Sequence, residues 1–165
     1  MNYLTDKISI LTGKAGAVAS VALLVLVMGD VILRFVFSVS FNWLTESEWH
    51  FFGFIFLLGA SYNVWADKHV RVDFYYEAFS EKSKHLVNLI LHILFLIPWA
   101  LISIHTCYQY ASNSFYIRES SPNPGGLPLL YPIKYVVVLC FVLLLLQGLT
   151  EVRKEAEKLR DSWKS

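Results

Sequence analysis

The chain has 165 residues, of which 56% are hydrophobic, 16% aromatic and only 16% charged. Soluble domains usually carry about 25% charged residues, so this composition argues against a soluble globular protein. The formal net charge is +1, which excludes the strongly basic surface typical of nucleic-acid binding, and we expect no nucleic-acid partner.

Four apolar stretches, residues 15–37, 49–66, 86–110 and 129–152, account for most of the chain. A helix needs about 20 mostly apolar residues to cross a bilayer. Each stretch reaches or approaches that length, so the sequence predicts an all-α membrane protein, a single domain over residues 1–165 with four transmembrane helices. The first stretch exceeds the hydrophobic region of a signal peptide, about 7–15 residues, and is predicted to be retained.

The distribution of lysine and arginine predicts the orientation of these helices. Of the 14 such residues, all except Arg34, Arg118 and Lys134 lie before the first stretch, between the second and third, or after the fourth. The positive-inside rule therefore places the N and C termini in the cytoplasm and residues 38–45 and 111–128 outside.

The segments outside the apolar stretches have their own patterns. Residues 1–14 are predicted to form a short amphipathic helix along the inner surface. Residues 67–84 have the spacing of an amphipathic surface helix on the inner leaflet, with an ordinary loop as the alternative. Residues 120–128 contain three prolines and two glycines, which excludes a regular helix and indicates an ordered turn or hinge. Residues 151–164 interleave acids and bases, as in a cytoplasmic helical tail. Pro98, within the third stretch, predicts a kink.

Asp30 and Arg34 are an acidic–basic pair within a predicted span. Residues four apart share one face of a helix. An ionisable group at the centre of a bilayer costs about 3 kcal/mol or more, so the pair is a candidate functional site. Three interpretations stay open: a substrate or ion site, a polar contact with another subunit or a phospholipid, and a locally satisfied pair in which Arg34 extends to the headgroups.

The sequence around Thr45 is typical of a helix start. Thr45 is predicted to be the N-cap, with Glu46 and Glu48 in the first turn, where acids interact favourably with the helix dipole. The two glutamates are two residues apart and are expected on different faces. This spacing favours the cap over an acid–base dyad.

The histidines raise an alternative function. His92 and His105 are predicted on one helix, about 20 Å apart along its axis, and cannot share a haem. His50 and His105 can lie at similar depth on different helices, which is compatible with one bis-His haem. No Ser-His-Asp order, phosphate loop or HExxH motif occurs, so we predict no enzyme.

Together these features resemble the small membrane (Q-type) subunit of tripartite ATP-independent periplasmic (TRAP) transporters. The resemblance is carried by Arg34, Trp43, Glu46-Ser47-Glu48, Gly59, His69-Val70-Arg71-Val72-Asp73, Pro124-Gly125-Gly126-Leu127-Pro128, Tyr131, Lys134 and Gln147. It covers nearly the whole chain, and residues 69–73 with the upstream tryptophan and glutamate are its most specific part.

The resemblance implies a role in transport. Such systems combine a periplasmic substrate-binding protein, a large multi-spanning subunit that holds sodium and substrate and moves as an elevator, and a small subunit that acts as a scaffold. For this chain it implies multi-pass insertion in a bacterial inner membrane and sodium-coupled uptake of an organic acid anion (a carboxylate, sugar acid or sulfonate). No cofactor is expected in this chain, because sodium is expected in the large subunit.

The resemblance also implies where partners and phospholipid would bind. The expected interface residues are Asp30, Arg34, Trp43, Glu46, Glu48, His69, Arg71, Asp73, Gly125, Gly126 and Lys134. Arg34, Trp43 and Glu48 would lie at the outer edge of the seam with the large subunit, where Arg34 would hold a phospholipid phosphate or a partner carboxylate. Residues 69–73 would fix the inner-leaflet helix, and the Pro-Gly segment would contact the large subunit or the binding protein. A haem-binding membrane anchor of a redox enzyme and a self-assembling small channel are the alternatives.

Overall fold

The computed structural model describes residues 3–66 and 79–162, with side chains for residues 6–66 and 79–161. Its helices are α1 (Tyr3–Val36), α2 (Asn42–Trp65), α3 (Glu81–Leu91), α4 (Ile97–Tyr116) and α5 (Tyr131–Ser162), and a π-helical segment, His92–Leu96, joins α3 to α4. No strand occurs in these two described ranges, which agrees with the all-α prediction. Most of the predicted surface segment, residues 67–78, lies outside the described residues.

Within the part of the chain that the structure describes, three helical rods are long and apolar enough to cross a bilayer: Asp6–Val36, Glu81–Tyr116 and Tyr131–Asp161. They contain the predicted spans 15–37, 86–110 and 129–152, apart from a residue or two at the ends. The remaining predicted span, residues 49–66, falls almost entirely in α2, whose Trp, Tyr, His and Asn side chains lower its mean hydropathy. At 1.5 Å per residue α2 is still about 36 Å long, so four spans stay a prediction that its length permits.

The beginning of α1 differs from the prediction. Residues 3–14 are the first turns of the long helix rather than a separate surface helix. The Trp65 indole N–H donates a hydrogen bond to Asp6 Oδ1 at 2.9 Å, and the Ser9 hydroxyl donates to Gln147 Oε1 at 2.7 Å. These bonds tie the start of α1 to the end of α2 and to α5, so this segment belongs to the helix bundle.

The π-helical segment lies directly before Pro98, the second residue of α4. Proline has no N–H, and its ring collides with the carbonyl four residues earlier, so regular α-helical bonding cannot continue through it. Widening the preceding turn to π geometry accommodates this missing bond. The rod Glu81–Tyr116 therefore continues past the proline, where the sequence predicted only a kink.

The packing places small and polar side chains inside and large apolar side chains outside. α5 contacts each of the four other helices in the described ranges, and the most extensive contacts there join α1 to α2 and α4 to α5. The buried positions include Ser9, Ala19, Ser61, Ala100, Ala111, Ser114, Cys140 and Gln147. Small residues between helices with large apolar residues facing outward are typical of membrane bundles.

Candidate functional site

The described turns meet at one end of the bundle, which we call the loop end. One turn, residues 37–41, joins α1 to α2, and a longer one, residues 117–130, joins α4 to α5; we call the second the long loop. The Asn42 side-chain amide donates a hydrogen bond to the Pro124 carbonyl at 2.9 Å. The two segments predicted to lie on the same side of the membrane are therefore neighbours.

The long loop is held in one shape by its own backbone. The Ser121 N–H donates to the Leu127 carbonyl at 2.9 Å, and the Leu130 N–H donates to the Glu119 carbonyl at 2.9 Å. Gly125 has φ +68°, a left-handed conformation that most residues avoid. The prediction that residues 120–128 form no regular helix is confirmed, and of its two alternatives, an ordered turn or a hinge, these bonds favour the ordered turn.

The Glu46 carboxylate fastens this loop to α2. Its Oε1 accepts hydrogen bonds from the Ser121 hydroxyl and from the Asn123 amide, the latter at 2.8 Å, and its Oε2 accepts from the Leu127 N–H at 2.8 Å. Glu46 is only 7% exposed. We call Glu46 and these three donors the loop clasp. Both carboxylate oxygens are used within the chain, so Glu46 organises the surface that the loop presents.

The predicted helix cap at Thr45 is wrong. α2 begins at Asn42, its N-cap is Phe41 without a side-chain cap hydrogen bond, and its first turn contains no acid. Glu46 therefore lies one turn into the helix, where its side chain reaches the long loop. In the sequence, the polar side chains of the Pro-Gly segment, such as Ser121 and Asn123, indicate only that this segment needs an acceptor and not which residue supplies it.

Lys134 fastens the other side of the long loop. Its ammonium pairs with the Glu119 carboxylate and lies 3.8 Å from the centroid of the Tyr110 ring. The residue is 9% exposed. The Lys134 charge thus joins α4, the loop and α5, so Lys134 supports the site from inside the chain.

Two carboxylates at the loop end are stabilised in their ionised forms. The Leu127 N–H, with the Ser121 hydroxyl and the Asn123 amide, lowers the pKa of Glu46 below its ordinary value of 4.5. The hydrogen bond from Lys134 lowers the pKa of Glu119 below the same value. Because both pKa values are depressed in the folded chain, their contribution to stability is fully present above pH 4.5 and is lost as the pH falls through the folded values.

We therefore expect the long loop to loosen in acid. Hydrogen exchange of the purified chain, measured at a series of falling pH values and corrected for the intrinsic exchange rate, should show that protection of the Leu127 amide is kept down to pH 4.5 and decreases below it, as its acceptor Glu46 protonates. Backbone amides in the middle of α4 serve as the control. Unchanged protection of Leu127 in acid would contradict the role of the ionised clasp.

A second polar cluster lies where α1 and α2 approach the loop end. The Arg34 guanidinium donates to Asp30 Oδ2 within α1, which confirms that the pair shares a face. The Asp30 side chain is 6% exposed and that of Arg34 is 51% exposed. Glu48 on α2 lies within electrostatic range of both. Asp30 Oδ1 and Glu48 Oε1 are buried and have no hydrogen-bond partner among the described residues.

The remaining candidates are placed as follows. Trp43 is 46% exposed beside Phe41, with their ring centroids 6.2 Å apart. Gly125 and Gly126 lie in the long loop, and the predicted site residues His69, Arg71 and Asp73 lie outside the described residues.

The two histidines of the haem hypothesis, His50 and His105, have different surroundings. His105 Nε2 lies 3.0 Å from the Gln109 amide nitrogen, one turn away along the helix, and His50 lines a mainly apolar groove between α2 and α5. The third histidine considered, His92, has its Nδ1 2.6 Å from the Asn88 carbonyl. Among the described residues, no group of three His, Cys, Asp or Glu side chains is placed to hold a metal ion.

Comparison with known proteins identifies the family. The DctQ component of tripartite ATP-independent periplasmic transporters matches residues 23–158, a stretch that contains the loop clasp, the Asp30–Arg34–Glu48 cluster and the long loop. No curated protein matches the chain. The match favours the transporter interpretation over the haem anchor, and it covers far more than half of the sequence. The chain therefore belongs to the DctQ family of tripartite ATP-independent periplasmic transporters, and it is a transporter component rather than an enzyme.

Proposed function

We propose that the chain is the small scaffold subunit of a sodium-coupled, binding-protein-dependent importer of organic acid anions, with a carboxylate, sugar acid or sulfonate as substrate. The large multi-spanning subunit would bind sodium and substrate, and this chain would brace it without a cofactor of its own. In this arrangement all four predicted spans cross a bacterial inner membrane with both termini in the cytoplasm, so the loop end faces the periplasm.

The exposed apolar surface of the helical rods carries the proposal. In the most apolar stretch of each of the three rods, only 17%, 17% and 22% of the residues are buried within the chain. Most residues of these stretches are thus at least partly available to lipid or another subunit. Secondary transporters commonly bind substrate at interrupted helices near the midplane. In this chain, a groove of about 390 Å³ lies between α2 and α5. It is lined mainly by apolar side chains such as Phe51, Phe54 and Ile133. These features support a brace rather than a substrate pathway.

The loop clasp supports a docking role for the long loop. Two side-chain donors and one backbone donor of the long loop are already bonded to Glu46. The loop therefore loses little further conformational freedom when a partner binds. The binding protein or the large subunit would meet a preformed surface there.

The exposed part of Arg34 supports a contact at the seam. Its side chain is half exposed although one terminal nitrogen is bonded to Asp30, and a guanidinium carries five N–H donors. A partner carboxylate or a phospholipid phosphate would complete its bonding. Trp43 would lie at the same edge, and residues 69–73 would fix the inner-leaflet helix against the scaffold.

A tagged pull-down of the chain from native membranes in mild detergent, with partners identified by mass spectrometry, tests the proposal. We expect one large multi-spanning subunit. Recovery of the chain alone would contradict the proposal, and recovery with redox subunits and a Soret absorption band would establish the haem anchor instead.

Docking of the long loop can be tested at Gly125. We expect Gly125→Trp to lower uptake severalfold while the membrane complex keeps its normal yield, because a Cβ added at this position meets nothing within 4 Å. Gly125→Asn is the matched control, since asparagine adopts the left-handed conformation and stays small. Normal uptake by the tryptophan variant would exclude docking at this loop.

A further inference from the structure

The Asp30–Arg34–Glu48 cluster lacks one positive charge for neutrality. Two carboxylates and one guanidinium give a formal charge of −1, and Arg34 is bonded to only one of the four carboxylate oxygens among the described residues. Asp30 Oδ1 and Glu48 Oε1 are both buried without a partner there. A buried carboxylate oxygen without a donor is unfavourable, so the cluster is incomplete as it stands.

The cluster lies near the loop end of both helices. Asp30 lies six residues before the end of α1 at Val36, and Glu48 lies six residues after the beginning of α2 at Asn42. Both carboxylates therefore lie about 9 Å from the loop end of their helices.

Large exposed apolar residues adjoin the cluster along both helices: Val31 at 47%, Phe35 at 80%, Trp49 at 68% and Phe52 at 66% exposed. Polar anchors surrounded by apolar contacts that exclude water are typical of the energetically important centre of an interface.

We propose that this cluster receives one basic side chain of the large subunit, whose ammonium or guanidinium group binds between Asp30 and Glu48. The inference rests on the proposed function, because that subunit is the partner it requires. One added positive charge balances the second carboxylate of the cluster and supplies donors to both unpartnered oxygens, while the exposed donors of Arg34 remain available for the seam contact proposed above. Lysine and arginine suit a recessed site, since they carry their charge on a slender apolar stem.

The charge of the cluster distinguishes this partner from a phospholipid amine. A zwitterionic phospholipid brings its own phosphate with the ammonium group, so its binding leaves the net charge of the cluster at −1. A basic side chain removes that charge. The same contact gives the seam its register, because a misplaced subunit would leave these oxygens buried without a donor.

The test uses the complete membrane complex with isosteric neutral variants. Asp30→Asn, Glu48→Gln and the double variant are coexpressed with the large subunit, and the ratio of large subunit to tagged chain is measured after detergent extraction. We expect about tenfold lower recovery for the double variant and intermediate values for the single ones. Glu157→Gln is the control, since it neutralises an exposed carboxylate paired with Arg153 on α5. Circular dichroism of the isolated variants checks that the helices are intact.

The outcomes separate this inference from the proposed function. If the unmodified chain brings down no large subunit, the proposed function fails; if it does and the double variant recovers as much, only the inference fails. Glu48→Lys should also prevent assembly, and replacing one basic residue of the large subunit by glutamate should restore it, whereas failure of every such replacement overturns the proposal. A loss of recovery that occurs only when phosphatidylethanolamine is present would assign the site to a lipid amine and overturn it as well.

Discussion

Glu46→Ala is expected to detach the long loop from α2 and to remove most uptake, while the helices themselves stay folded. The substitution removes the acceptor for three donors at once, namely the Ser121 hydroxyl, the Asn123 amide and the Leu127 N–H. Those donors would form hydrogen bonds with water instead, and the loop would open. We expect a proteolytic cut within residues 117–130 to become about tenfold faster or more, because cleavage follows the population of the open segment.

The control for Glu46→Ala lies on the same end of α2. Asn42→Ala removes a single hydrogen bond, the one from its amide to the Pro124 carbonyl, and should raise loop cleavage only slightly. Glu46→Gln should lie between the alanine variant and the unmodified chain, because its amide keeps one acceptor oxygen but places a donor nitrogen where Glu46 presents the second acceptor. Equal cleavage of all three variants and the unmodified chain would show that the clasp does not hold the loop.

Hydropathy was sufficient to predict the helical rods, because long apolar stretches leave few alternatives to a membrane helix. The Asp30–Arg34 pair was likewise predictable, since residues four apart on a helix must share a face. These features depend on neighbours in sequence. The π-helical segment before Pro98 was predicted only in part. A proline predicts that regular helical bonding is interrupted, but it does not indicate which backbone geometry accommodates the interruption.

The site itself could not be predicted, because its contacts join residues far apart in the chain. Glu46 and Leu127 are separated by 81 positions, and no local pattern pairs a helical glutamate with a particular loop amide. The same holds for Glu48, whose position beside Asp30 follows from how α1 and α2 pack. The start of α2 was misplaced because its N-cap is Phe41, whose side chain has no oxygen to cap a helix, whereas threonine at position 45 is a residue type preferred at N-caps.

Gly126 is expected to be less replaceable than Gly125, although only Gly125 has a left-handed backbone. A Cβ added at Gly126 would lie 2.6 Å from Ser121 Cβ and 2.7 Å from Glu46 Oε1. Gly126→Ala therefore forces apart two groups of the clasp. We expect it to destabilise the fold by about 1–3 kcal/mol, as is typical of overpacking. At Gly125 an added Cβ meets nothing within 4 Å, so Gly125→Ala costs only backbone strain, roughly 1 kcal/mol.

Thermal unfolding and loop proteolysis of the Gly126→Ala, Gly125→Ala and Gly125→Asn variants check this order. We expect rapid loop cleavage and the lowest melting temperature for Gly126→Ala, a small effect for Gly125→Ala and almost none for Gly125→Asn. Because the clash at Gly126 involves Glu46 itself, its effect should not add to that of Glu46→Ala in the double variant. Additive effects would mean that the two residues act on separate parts of the loop, and a larger effect at Gly125 than at Gly126 would mean that backbone conformation, rather than the clasp, sets the shape of this surface.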